Sequence, residues 1–223
     1  MTKAVAKKRQ YKSALSREKI IKKAIRLADR NGVDVLSMRK LAQALKVEAM
    51  SLYNHVDNKE DLIDAMVDHV VAQFALPKID NQWKPELRAC IFSTHKVLLK
   101  HPWVTILLLT RNCTGDAMMS YTNACFGCFL SAGFSHPLCD HGWNALNNHL
   151  YGFTLTEINS PIEPEDFSKV ALQYLPMTSE DRYPYIRSMM KVIIDGEHSG
   201  INDFEFGLDL ILNGLENKLH EQR

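Results

Sequence analysis

Residues Ser37–Lys59 read SMRKLAQALKVEAMSLYNHVDNK, and the rest of the chain is organised around them. Ser37 is placed to N-cap a helix, and Leu36 can staple onto Leu41 one turn later. Leu41, Ala42 and Leu45 give that helix one apolar face. Leu45-Lys46-Val47 reads as a tight turn. Glu48 to His55 reads as a second short helix with Leu52 and Val56 pointing inward. Asp57-Asn58-Lys59-Glu60 then has the spacing of a capping box that opens a third helix. Two short helices joined by a tight turn form a helix-turn-helix, the unit whose second helix enters the major groove of DNA.

The charge distribution supports the same reading. The 223 residues carry a net charge of only +1, but residues 1–60 hold 15 Lys/Arg against 6 Asp/Glu and residues 61–223 hold 12 against 20. A basic end on a mildly acidic body is the pattern of a nucleic-acid-facing head. Residues 1–15 contain five basic and no acidic side chains and are expected to be a flexible basic arm. Such an arm either touches phosphate or a minor groove or serves only as a solubilising tail. The N-terminus has no apolar segment of a secretory signal, and no apolar run is long enough to span a bilayer, so a cytoplasmic location with no membrane partner is expected.

Upstream, Ser16 caps a first helix whose apolar stripe is Ile20, Ala24, Leu27 and Ala28, and Asn31-Gly32 ends it. Downstream, a helix runs from Asn58 to about Leu76. Pro77–Pro85 is the first break and the expected domain boundary, giving a head over 16–76 and a body over 77–223. Helices are expected over 86–100, 103–110, 116–132 and 138–159. An irregular stretch over 160–184 follows, then helices over 185–195 and 201–220. No stretch alternates like a strand. The expected fold class is all-α: an N-terminal three-helix DNA-binding domain with a helix-turn-helix, then a C-terminal helical bundle for ligand binding and dimerisation.

At Arg39-Lys40-Leu41-Ala42, Val47, Ser51-Leu52-Tyr53, His55-Val56 and Asn58-Lys59 the sequence resembles the tetracycline-repressor (TetR) family of bacterial transcription regulators. Residues 206–215 also look like the last helix of the family's tetracycline-type C-terminal domains. The resemblance implies a ligand-responsive DNA-binding regulator, most often a repressor, acting as a homodimer on palindromic double-stranded operator DNA. It departs from the family at Lys46, where glycine is usual.

Matching to the family puts Arg39 near phosphate or a guanine edge, and Ala49, Met50 and Ser51 at the base edges. Ala49 and Met50 offer only apolar contact to thymine methyls, whereas Ser51 can hydrogen-bond. Tyr53, Asn54 and His55 supply backbone contacts, Asn54 having adenine as a second option. Lys59 at a helix N-terminus suits a phosphate. Tyr53 and His55 have an alternative role in packing the head.

A dimer surface is needed, because paired recognition helices sit about 34–36 Å apart on B-DNA. The family resemblance assigns it to the last helix and the long helix before the irregular stretch. Here those carry Phe204, Leu208, Ile211 and Leu215 with Gly207 and Gly214, and Leu146, Leu150 and Phe153. The same stripes could instead face their own core. The resemblance also implies a pocket for a small apolar or aromatic molecule. Its candidate walls are Phe74, Thr94, Leu98, Trp103 and Leu107, with Met118, Tyr121, Trp143, Asn147 and Tyr151, each of which could equally be plain core.

A tetracycline–magnesium ligand is not supported: the two positions that hold histidines in the family hold Ala75 and Leu107 or Leu108 here. No cofactor is expected. Cys125-Phe126-Gly127-Cys128 has the spacing of a thiolate pair, leaving metal or thiol sensing as an alternative to buried structural cysteines. An enzyme is disfavoured, since no Gly-rich phosphate loop, Gly-x-Ser-x-Gly or His-Glu-x-x-His occurs. A purely architectural DNA binder leaves the long helical body unexplained.

Overall fold

The computed structural model describes residues 15–79, 82–200 and 203–222; the basic arm, apart from Leu15, lies outside them. Helices dominate and no strand occurs among the described residues: α1 Arg17–Asn31, α2 Met38–Leu45, α3 Lys59–Val71, α4 Trp83–Lys100, α5 Pro102–Thr110, α6 Asp116–Ser131, α7 His136–Ile158, α8 Phe167–Tyr174, α9 Pro184–Ile194 and α10 Phe204–Glu221. No helix among them is long and apolar enough to cross a membrane.

Local capping sets the start of each head helix. The Ser16 and Ser37 side chains accept the amides of Lys19 and Lys40, and Gly32 ends α1 at φ 81°. The third cap falls one residue later than the sequence reading. Asn58, not Asp57, is the N-cap, and its Oδ1 accepts the Asp61 amide at 2.9 Å. Asp61 in turn accepts the amide of Asp57 at 2.9 Å, closing the reciprocal box as Asn58…Asp61.

The turn after α2 is a Schellman closure built on a lysine. Lys46 adopts φ 58° and ψ 47°, the Val47 amide reaches back to Ala42 and the Lys46 amide to Gln43. It is the one non-glycine residue at positive φ among the described residues. The unit that follows differs from the expected helix over 48–55. Ala49–Ser51 is a single 3-10 turn, continued by turn residues 52–55 whose bonds run Leu52 to Ala49 and His55 to Leu52. Only Leu52 and Val56 are buried here, so one wound turn suffices to hide the apolar side chains available.

In the body, α7 is the central element, packed on α4, α5, α6 and α10. Its core includes Leu87, Ile91, Leu98, Phe129, Leu146 and Leu150, all fully buried. Arg88 of α4 pairs with Asp209 at 2.6 Å and Glu205 at 2.7 Å, and Lys84 with Glu216 at 2.5 Å, tying α4 to α10. The stretch 160–184, expected to be irregular, contains α8 between two 3-10 turns. Its helical period is only eight residues long and is flanked by Pro164 and Pro176, which masks it in the sequence. α8 and α9 pack chiefly on each other, and α9 buries no residue.

Replacing Lys46 with glycine removes a left-handed strain of about 1–2 kcal/mol, offset in part by a freer unfolded chain. Lys46→Gly is expected to stabilise the protein by about 0.5–1 kcal/mol in denaturant melts, and a loss of stability would show that the lysine side chain holds the turn.

Candidate nucleic-acid interface and effector body

Three elements meet at the head's outer surface. Arg39 and Lys40 on α2 are exposed, as are Met50, at 74%, and Tyr53, at 44%, on the recognition turn. Asn54 is also exposed, while Ala49, Ser51, His55 and Lys59 are half-buried. The structure therefore brings all eight expected DNA-facing residues onto α2, the recognition turn and the start of α3. Tyr53 is not used in the core, because Leu52 and Val56 fill it.

Arg17 fixes the orientation of this surface. Its guanidinium donates to the His55 carbonyl at 2.7 Å and to the two Asp61 carboxylate oxygens at 2.7 and 3.1 Å. The fork joins α1, the end of the recognition turn and the first turn of α3. The hydrogen bond from Arg17 holds the Asp61 carboxyl below the usual carboxylate range, despite some desolvation. Arg17 and Asp61 carry no motif signal; only their contacts reveal the role.

The head meets the body through three polar ties. Asp29 at the end of α1 accepts from the Trp103 indole at 2.7 Å and lies 2.8 Å from His101 Nδ1. Arg111, after α5, donates to Glu60 at 2.6 Å and Asp64 at 2.8 Å on α3. Asp68 of α3 accepts the amides of Ala117 at 3.0 Å and Met118 at 3.4 Å, so a head side chain caps α6 of the body. Gly115 makes room for it: a Cβ there would lie 2.1 Å from Asp68 Oδ1.

The expected pocket residues divide. Thr94, Tyr121 and Phe74 are buried together and the half-buried Trp143 packs on them, with Thr94 Oγ1 3.2 Å from the Tyr121 hydroxyl and the Tyr121 ring 5.1 Å from Phe74 and 5.7 Å from Trp143. Burial pushes the Tyr121 hydroxyl well above its usual range, so it stays protonated and able to donate. Asn147 lies on the same helix as Trp143 and Tyr151, and its Oδ1 is buried with no hydrogen-bond partner among the described residues. Leu98 is fully buried, and Leu107 and Met118 pack half-buried against the core. Trp103 is a joint residue instead, committed to Asp29.

The apolar stripes expected to dimerise serve the protomer's own core. Leu146, Leu150, Phe204, Leu208 and Leu215 are buried within one chain, and Phe153 and Ile211 pack half-buried against that core. Gly207 faces His149, where a Cβ would come within 2.4 Å of the ring. Gly214 alone of the group has open surroundings. The side chains α10 leaves outside are Phe206 at 65% and Leu210 at 57%, followed by Asn213 and Asn217 on the same face.

The two cysteines of the Cys-x-x-Cys segment go separate ways. Cys125 Sγ lies 4.0 Å from Cys90, and Cys128 donates to the Trp83 carbonyl at 3.7 Å. The contact with Cys90 and burial both push the Cys125 thiol upward, away from thiolate. No group of three or more His, Cys, Asp and Glu is placed to hold a metal ion among the described residues.

Comparison with known proteins places this geometry in a family. The chain matches the profile of the tetracyclin repressor-like C-terminal domain over residues 76–219 and that of the bacterial tetR-family regulatory proteins over residues 20–66. It is 32% identical over 179 residues to an HTH-type transcriptional regulator of Saccharopolyspora erythraea, covering 80% of this chain and 76% of that protein. It is 28% identical to the class C tetracycline repressor protein of Escherichia coli, covering 91% of each. The fold superposes on the Streptomyces coelicolor TetR-family protein ActR, solved in complex with (S)-DNPA, with a TM-score of 0.78 at 24% identity over 92% of this chain and 98% of ActR. From the profile match across head and body, the chain belongs to the tetracycline-repressor family of helix-turn-helix transcriptional regulators.

Proposed function

We propose that this regulator is a homodimeric repressor that binds palindromic operator DNA in the cytoplasm and is released by a small apolar or aromatic effector, with a head over 16–76, a body over 77–223 and no catalytic role. The observation that carries the reading is the Asp68 cap, which makes one carboxylate part of both the DNA-binding head and the first turn of α6. The effector site is the group around Tyr121, Trp143 and Asn147. The unpartnered Asn147 oxygen there is an acceptor awaiting a donor. ActR, solved in complex with actinorhodin as well as (S)-DNPA, supports an aromatic effector by analogy.

An effector wedged against Tyr121 moves α6, α6 moves Asp68, and α3 carries the shift to Asp61, Arg17 and the recognition turn. The ligand acts by favouring the arrangement whose heads no longer match the operator, with a coupling of about 1–3 kcal/mol. Base reading rests on Ser51, the only hydrogen-bonding side chain of the three at the base edges, and on thymine contact by Met50 and Ala49. Arg39, Tyr53, Asn54, His55 and Lys59 serve the phosphates and neighbouring base edges. The dimer forms on the outer flank of α7 and α10, centred on Phe206, Leu210 and Gly214.

Fluorescence-anisotropy titrations on DNA flanking the regulator's own coding region test the reading. Tyr53→Phe and Lys59→Ala are expected to weaken binding on every sequence, and Lys59→Ala to reduce the salt slope by about one charge. An unchanged slope removes Lys59 from the phosphate contacts. Leu210→Arg, at an exposed site, is expected to give a folded monomer in sedimentation and to lose operator affinity; a persistent dimer would move the interface elsewhere. Asp68→Ala is expected to cost about 1 kcal/mol in denaturant melts. Gly115→Ala should cost at least as much in the parent and less in the Asp68→Ala background, and simple additivity would deny the cap its coupling role.

A further inference from the structure

A cavity of the body lies apart from the Tyr121 group. It lies between the outer face of α4, the end of α7, residues 160–167 and the start of α10, and has a volume of about 980 Å³. That is the upper end of the range for small-molecule sites. Thr94 and Leu98 of α4 turn to the interior, whereas Phe92, His95, Lys96 and Leu99 turn to this cavity, and none of the proposed effector residues lines it.

Its walls are aromatic. Phe92, Phe153, Phe167 and Phe204 line it together with His95, whose ring stacks on Phe204 at 4.0 Å and 11°. His149 stacks on the other flank of the same residue at 4.9 Å and 17°, which fixes Phe204 in place. Phe153 and Phe167 are only half-buried, and an aromatic ring offers a cation its π face.

Its charge is negative. Glu157, Glu163, Asp203 and Glu205 line it, against a single Lys/Arg side chain, Lys96, whose ammonium rests on the Phe92 ring at 4.1 Å. Arg88 neutralises Glu205 from outside at 2.7 Å. Asp203 caps α10 by accepting the amides of Glu205 and Phe206. Glu157 lies 3.1 Å from His95 Nε2, and desolvation pushes the His95 imidazole toward its neutral form. Glu163 is exposed and has no side-chain partner among the described residues.

Aromatic walls with an uncompensated negative charge select one ligand chemistry. We propose that this cavity is a second small-molecule site, separate from the Tyr121 group, and that it takes an amphipathic organic cation: an apolar or aromatic body carrying an amine or other onium centre, seated on Phe153 and Phe167 with its charge toward Glu157 and Glu163. The proposal holds whether or not the Tyr121 group receives the effector.

Tetraphenylphosphonium and tetraphenylborate provide the test, being alike in size and shape and opposite in charge. In isothermal titration calorimetry with the full-length protein, the phosphonium is expected to bind at least tenfold more tightly than the borate. Glu163→Gln, at an exposed site where the fold is not at stake, is expected to weaken the phosphonium about threefold, and Glu163→Lys about tenfold or more. Glu157→Gln should act in the same direction, and Asn147→Ala should leave binding unchanged. Equal or tighter binding of the borate, no phosphonium binding at millimolar concentration, indifference to both Glu163 variants, or loss of binding in Asn147→Ala would each overturn the proposal.

Discussion

Asp68 gives its carboxylate to another helix. Its amide partners are Ala117 and Met118 of α6, and Gly115 leaves the gap through which it reaches them. The first amides of a helix have no partner within it, and Asp68 of α3 supplies one for α6. The same α3 begins at the Asn58…Asp61 box, whose acid is held by Arg17, and Arg17 holds the end of the recognition turn. One helix, capped at one end and capping at the other, thus sets the position of the DNA-facing surface relative to the body.

The joint around it adds directional polar contacts to an apolar core that runs through head and body. His101 and Trp103 meet on Asp29, and Arg111 bridges Glu60 and Asp64. Directional contacts of this kind have few alternative arrangements. The interior group beside it is aromatic, and the buried Asn147 oxygen on the same helix as Trp143 has no hydrogen-bond partner among the described residues.

The sequence displayed what is local and hid what is tertiary. Ser16, Gly32 and Ser37 are caps whose geometry depends on neighbours within four residues, and each holds in the structure. Lys46 was legible as a strained position because the family template has glycine there. The recognition turn was not: the same residues suit a short α-helix or a 3-10 turn, and the choice depends on how Leu52 and Val56 meet α1 and α3. The α10 stripe shows the limit of periodicity. Leu208, Leu212, Leu215 and Leu219 are helically spaced and buried, but spacing cannot say whether another helix of the same chain or of a second copy covers them. The Trp103 indole bond to Asp29, more than seventy residues away, has no sequence signal at all.

The α8–α9 hairpin stands apart from this network. It packs chiefly on itself, and no residue of α9 is buried in the protomer, although Tyr185, Ile186 and Met189 are large and apolar. A segment with so little buried surface has a small free energy of local opening, far below that of the α4–α7–α10 core. Amide hydrogens there are expected to exchange by sub-global opening, and those of α7 only on complete unfolding, which would divide the chain into cooperative units of unequal stability.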